Sequence, residues 1–167
     1  MEMTSAQSVY QALKKRNLKL VLAESCTSGL AAAMMGGVPG VSEYFCGSAV
    51  TYRIDTKSQW LGIGAGLVET HTAESPEVSL AMALSILDRT PEAQLSAAIT
   101  GHLGPGAPPE KDGVVYVAVA KNNGEKRSTK WESFALEADQ RAARQEEAAQ
   151  VMLGYVLSVL GHGELFG

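Results

Sequence analysis

The stretch "LKLVLAESCTSGLAAAMMGG", Leu18 to Gly37, constrains the fold more than any other. It begins with alternation and then becomes continuously apolar, the pattern of a strand entering a sheet that is covered on both faces. An acid and a cluster of hydroxyls interrupt it, and a helix of small residues follows, expected to start near Thr27 and to end at Gly36 and Gly37. A strand that turns directly into a helix is half of a crossover unit. The chain therefore needs a sheet with parallel strands and helices on each side.

The flanking segments agree with that requirement. A first helix is expected over Ser5 to Lys15, with Val9 and Leu13 on one face and Asn17 as its stop. A Pro-Gly turn precedes a strand over Phe45 to Tyr52, and "DTKSQWLGI" is expected to form a short helix capped by Asp55. In "AESPEVSLAMALSILDRT", Ser75 suits the cap, Pro76 the first helical position, and apolar residues recur at three and four. Three strand-like segments come next, "AQLSAAITG", "GVVYVAVAKN" and "KRSTKWESFAL", the last two joined by a hairpin turn in "KNNGEK". A final helix is expected from Asp139 to Leu160 with Gly161 just beyond. Alternating elements in the first half and consecutive strands in the second predict a three-layer α/β/α sandwich with a mixed β-sheet, as a single domain over residues 1–167.

Several function classes are disfavoured by composition. The net charge is −4 with Lys and Arg dispersed, so no footprint for a nucleic-acid backbone is expected. The amino terminus has an amphipathic period rather than the pattern of a signal peptide. The stretch "AAQVMLGYVLSVLGHGELFG" is interrupted by Gln150, Gly154 and Ser158, and falls short of the roughly 20 apolar residues of a membrane span. Cys26 and Cys46 are the only cysteines, and a chain with a core of this size has little need of a disulfide. A cytoplasmic location and reduced thiols are expected, and the apolar last helix favours a homo-oligomer.

Ligands of open α/β sheets collect beyond the carboxyl ends of the strands. Three turns lie there. The first carries Ser25, Thr27 and Ser28, of which any one is as readily a helix cap as a functional group. A serine on a tight strand-to-helix turn is also a way to present a nucleophile, although "GxSxG" is absent. Cys26 competes for that role without an obvious histidine base and reads as packing, and Glu24 reads as a carboxylate that anchors the turn through a partner. The second turn offers Tyr52 and Lys57. A lysine near a helix start is pushed toward its neutral form by the macrodipole, as a base requires, while the plain alternative is a solvated surface lysine. The third turn, "TGHLGPGAPPEKDG", is long and glycine-rich, suited to letting backbone N–H groups approach an anion, and does not match a nucleoside-triphosphate loop. His102 stands alone, with only His71 and His162 elsewhere, so no metal site is expected.

In their order and spacing, "AESCTSG", "VTYRIDTK", "SPEV" and "TGHLGPG" together resemble the CinA carboxy-terminal domain family. The resemblance covers almost the whole chain. It implies a three-layer α/β/α fold and hydrolysis of a carboxamide to a carboxylate and ammonia, without a metal or other cofactor, as in the family's nicotinamide mononucleotide deamidases. By the same resemblance Ser25 is the nucleophile, Lys57 its base and Tyr52 a hydrogen-bonding partner of the pair. Thr27, Ser28, Thr100, Gly101, His102 and Gly104 fall at substrate-binding positions, and Arg144 matches an arginine of the last helix, assigned with the glycine-rich loop to the substrate phosphate. The implied partner is a pyridine nucleotide.

Three motifs depart from the family's usual pattern. Ser28 stands for the second glycine of "AESCTGG", "GHLGP" for "GIAGP", and "ADQ" for a late "GDR", which puts Gln140 where an arginine is usual. Adjacent Arg141 is a candidate to replace it. Two readings stay open on the sequence: an amidohydrolase acting on nicotinamide mononucleotide or another small amide, and a nucleotide-binding or interaction domain of the competence/damage-inducible kind that has lost turnover.

Overall fold

Five strands form one sheet in the computed structural model, which describes residues 2–162. Residue 1 and residues 163–167, included in the expected domain, lie outside the described residues. The strands are β1 (Leu20–Glu24), β2 (Phe45–Val50), β3 (Leu95–Gly101), β4 (Val114–Asn123) and β5 (Lys126–Ala135), in the order β2-β1-β3-β4-β5. β1 runs parallel to both of its neighbours, whereas β4 is antiparallel to β3 and β5. The sheet is mixed, as expected.

Among the described residues six α-helices cover it: α1 (Ser5–Arg16), α2 (Leu30–Gly36), α3 (Ile54–Leu61), α4 (Ala65–His71), α5 (Pro76–Asp88) and α6 (Arg141–Gly161). Successive residues of a strand face opposite ways, and the sequence uses that period to build two cores. Leu20, Leu22, Leu95, Ile99, Val115, Val117 and Val119 pack with Val9 and Leu13 of α1, Met35 of α2 and Met152, Leu153 and Val156 of α6. On the other face Ala23, Ala98, Ala118 and Ala120 meet Val78, Met82, Ala83 and Leu87 of α5. These small residues let α5 lie close against the strands. Ser96 Oγ donates to the Ala83 carbonyl at 2.7 Å, and Ser79 Oγ lies 3.0 Å from the Tyr116 carbonyl. Among the described residues no helix is long and apolar enough to cross a membrane.

Several boundaries differ from the sequence expectations. α2 starts at Leu30 rather than near Thr27, because Ser28 and Gly29 take positive φ values of 51° and 91° that a right-handed helix cannot contain. β2 stops at Val50. Arg53, not Asp55, occupies the cap position of α3, and Asp55 lies inside its first turn. α4 has no counterpart in the expectations; it follows Gly64, which offers no side-chain cap. α6 begins at Arg141 instead of Asp139 and includes Gly161. The β4–β5 hairpin is present, with Asn123 paired to Lys126 across Gly124 and Glu125.

Register positions the site. Glu24 at the end of β1 is paired with Val50 of β2 and Ile99 of β3, so the chain leaves these parallel strands side by side. The Ser25 N–H extends the ladder to the Ile99 carbonyl at 3.1 Å, and the Thr51 N–H reaches the Glu24 carbonyl at 2.8 Å.

Candidate active site

Glu24 is fully buried, and its carboxylate organises the turn beyond β1. It accepts hydrogen bonds from the Gly29, Ala31 and Ala32 N–H groups and from the hydroxyls of Thr27 and Ser48, at 2.7–3.1 Å. A buried carboxylate is tolerated when its lone pairs are met in this way. These bonds absorb the orphan donors at the start of α2. They also fix the bend that holds Ser25.

Lys57 comes to Ser25 from α3. Its position is set by the inward stripe of that helix, which contains Lys57 and Leu61, one turn apart. Lys57 Nζ lies 2.8 Å from Ser25 Oγ and donates to the Thr51 carbonyl at 2.7 Å, with the Tyr52 carbonyl at 3.4 Å. Lysine is 1% exposed here and serine 7%. Burial lowers the Lys57 pKa from its ordinary value, against a smaller opposing influence from the Glu74 carboxylate. The largest cause is desolvation by burial.

A neutral amine in this position has two N–H bonds for the Thr51 and Tyr52 carbonyls, leaving its lone pair for the Ser25 hydroxyl. Cys26 offers no rival nucleophile at neutral pH, since burial pushes its thiol up to about 12. Ser25 lines a cleft enclosing about 540 Å³ of empty space, mouth included, with Lys57 buried beside it. Tyr52, Glu74, His102, Gly104 and Arg141 contribute to its wall. Among the described residues no group of three side chains is arranged to hold a metal.

The chain matches the family model described as the CinA C-terminal domain over residues 2–160. It belongs to that family. A CinA-like protein of Desulfotalea psychrophila is 42% identical over 124 residues, covering 73% of this chain and 30% of that protein. A CinA-like protein of Myxococcus xanthus is 38% identical over 117 residues, with coverage of 69% and 28%. The chain thus spans about three tenths of the length of these curated relatives. Among solved structures, the competence/damage inducible protein CihA from Agrobacterium tumefaciens superposes with a TM-score of 0.85 at 28% identity, covering 97% of this chain and all of its own. The competence or damage-inducible protein from Enterobacter asburiae gives 0.84 at 25% identity, with coverage of 95% and 99%.

The CinA-domain motifs divide between the cleft and its supports. Gly101, His102 and Gly104 lie on the wall. Gly101 has no room for a side chain, because a Cβ there would overlap the Val114 carbonyl oxygen. Thr27 and Thr100 are 1% exposed and committed elsewhere: Thr27 Oγ1 donates to Glu24, and Thr100 Oγ1 to the Ala73 carbonyl at 3.0 Å. They brace the site rather than line it. Ser28 lies on the exposed side of the turn, in a left-handed conformation that glycine adopts more readily than serine.

Two expected roles change. Tyr52 gives Lys57 its carbonyl, while its phenol is exposed and accepts from Arg141 Nη2 at 2.8 Å, so the hydroxyl does not bond the Ser25–Lys57 pair. Arg144 is occupied: its guanidinium donates to both Asp112 oxygens at 2.9 and 3.1 Å and to the Leu103 and Ala138 carbonyls. These bonds hold the Asp112 carboxyl below its ordinary range. Arg144 therefore pins the base of the glycine-rich loop instead of presenting a free phosphate clamp. Arg141 takes the open position on the wall, donating to Tyr52 and to the Gly104 carbonyl. Glu74 was not legible as a site residue, because in sequence it is one more acid before a helix.

Proposed function

We propose that the chain is an amidohydrolase that converts nicotinamide mononucleotide to nicotinic acid mononucleotide and ammonia. The observation that supports this most is the 2.8 Å approach of a buried, desolvated lysine to a serine at the floor of a cleft. Lys57, as the neutral amine, takes the Ser25 proton while Oγ attacks the carboxamide carbon. Lys57 then returns that proton to the departing amide nitrogen, which leaves as ammonia. Water attacks the acyl-enzyme while Lys57 accepts one of its protons; Lys57 then passes that proton to Ser25 Oγ as the ester C–O bond breaks, and the acid leaves as its carboxylate after giving its remaining proton to solvent.

The developing oxyanion needs donors that are not already used. At the start of α2 the N–H groups of Gly29, Ala31 and Ala32 serve Glu24, while Ser28 and Leu30 donate to the Ser25 and Thr27 carbonyls. The Cys26 N–H, beside the nucleophile on the cleft wall, has no bond to another residue among the described ones, and takes this role. Arg141 receives the phosphate, since two of its five N–H bonds go to Tyr52 and Gly104 and the remainder are available. The CinA family membership is consistent with this reading and does not by itself name the substrate.

Ammonia release from nicotinamide mononucleotide tests the assignment directly. The parent chain should turn over, and Ser25→Ala should abolish release while preserving the fold and nucleotide binding. Binding without ammonia from the parent chain would instead establish the nucleotide-binding domain suggested by Gln140. Wild-type turnover by the alanine variant would remove serine from the mechanism.

A further inference from the structure

The cleft wall is electrically two-sided. Glu74 supplies its only carboxylate and Arg141 its only guanidinium among the described wall residues, and no ion pair joins the two. Arg141 is engaged with Tyr52 and Gly104 on one side. Glu74 follows Ala73, whose carbonyl is anchored by Thr100, and its Oε2 lies 3.3 Å from His102 Nε2. Its side chain is 30% exposed, so the carboxylate is held by the wall and still open to a ligand.

We propose that Glu74 is a specificity-determining residue that receives the positively charged ring of an oxidised pyridine nucleotide, with His102 positioning its carboxylate. The proposal rests on the pyridine-nucleotide reading above and adds the part of the ligand recognised there. In such a substrate the ring nitrogen is two bonds from the carbon that bears the carboxamide. Once the amide carbon is at Ser25 Oγ, the ring's positive charge must lie beside the serine–lysine pair. Glu74 stands on the wall of the same cleft that Ser25 lines, and its carboxylate acts on Lys57 in the direction that favours the charged amine.

The sign of that action supports the assignment. By itself Glu74 favours the protonated lysine, which opposes the neutral base that catalysis needs. A cationic ring placed against Glu74 offsets this field and so favours the free amine at the moment the substrate is seated. A neutral ring brings no such compensation. Discrimination between oxidised and reduced nucleotides therefore follows from one carboxylate.

The test compares nicotinamide mononucleotide with its reduced, neutral-ring form, which share the carboxamide, ribose and phosphate. Binding of each is measured by calorimetry to the full chain carrying Ser25→Ala, so that neither is consumed, with and without Glu74→Gln or Glu74→Asp. The oxidised form should bind better, and Glu74→Gln should weaken it about fivefold, the scale of a partly exposed ion pair. The reduced form should change less than twofold, and Glu74→Asp should retain most of the preference. The preference should also shrink as salt is raised. Equal losses for both nucleotides, or no loss for either, overturn the cation-recognition role while leaving the substrate class intact. Failure of both nucleotides to bind overturns that role together with the reading on which it rests.

Discussion

The two sides of the cleft are built on opposite principles. On the β1 side, Glu24, Ser25 and Lys57 are buried, and the turn's N–H groups and hydroxyls are tied to a single carboxylate. On the side of the loop following β3, Pro105, Gly106, Pro108, Pro109 and Glu110 are exposed, and anchoring comes from the loop's base, where Arg144 grips Asp112 and the Leu103 carbonyl. The contrast separates two tasks. Proton transfer between serine and lysine depends on burial and a fixed distance, whereas ligand recognition tolerates an open rim with a few charged groups.

The sharpest way to break the comparison is at Lys57. Lys57→Met should reduce kcat/KM at least about 10²-fold, the lower range for loss of a general base. In the parent, kcat/KM should rise with pH through the lowered Lys57 pKa, since only the neutral amine accepts the serine proton. Stability has its own pH signature. The folded chain releases this proton at lower pH than the unfolded chain, whose lysine keeps its ordinary value of 10.5. Between those two values the unfolded state binds the extra proton, so stability should climb with pH across the window. Lys57→Met should flatten that slope, and thermal unfolding from neutral to alkaline pH will show whether it does.

Glu24 tests whether the buried side is as tightly determined as its bonds suggest. Glu24→Ala would leave three N–H groups and two hydroxyls without their acceptor, each bond to a charged group being worth about 1.5–3 kcal/mol. With partial rescue by entering water, a loss of at least about 3 kcal/mol is expected in denaturant unfolding. An unchanged midpoint would mean that the turn is held by its backbone alone.

Two arginines one helical turn apart provide a smaller test of the open side. Arg141→Ala should raise KM for the nucleotide about tenfold with little change in kcat, as expected when binding rather than chemistry is lost. Arg144→Ala should lower the melting temperature and leave KM within about twofold, because its donors already serve Asp112, Leu103 and Ala138. Steady-state kinetics and thermal melts on both variants distinguish recognition from support.

What was legible in the sequence follows the same division. Continuous apolarity in β1 and the three-four period of α5 announced the layered fold, because burial acts on patterns that span whole elements. Glu24 was legible as an anchoring acid, since a carboxylate directly after a buried strand needs partners. The partners themselves lie in a turn, at β2 and in α2, and only folding brings them together. The same limit applies to Glu74, which approaches the cleft from a different crossover. Arg144 and Tyr52 show the converse: a side chain in a matching position still depends on what its neighbours offer, and Asp112 and Arg141 engage these two.

Ser28 allows the finest comparison, within the buried side itself. Its φ of 51° costs a non-glycine residue about 1 kcal/mol relative to right-handed backbone. Glycine removes that cost but gives the unfolded chain more freedom, an opposing effect of about 0.4–1 kcal/mol. The Ser28 side chain is exposed and makes no hydrogen bond that would be forfeited among the described residues. Ser28→Gly should therefore raise stability by less than about 1 kcal/mol. Catalytic turnover should be unchanged, since the Glu24 bonds fix the path of the turn on either side of it. A clear loss of stability in thermal unfolding would show that the serine contributes to the turn in its own right, and that the left-handed backbone there is held without strain.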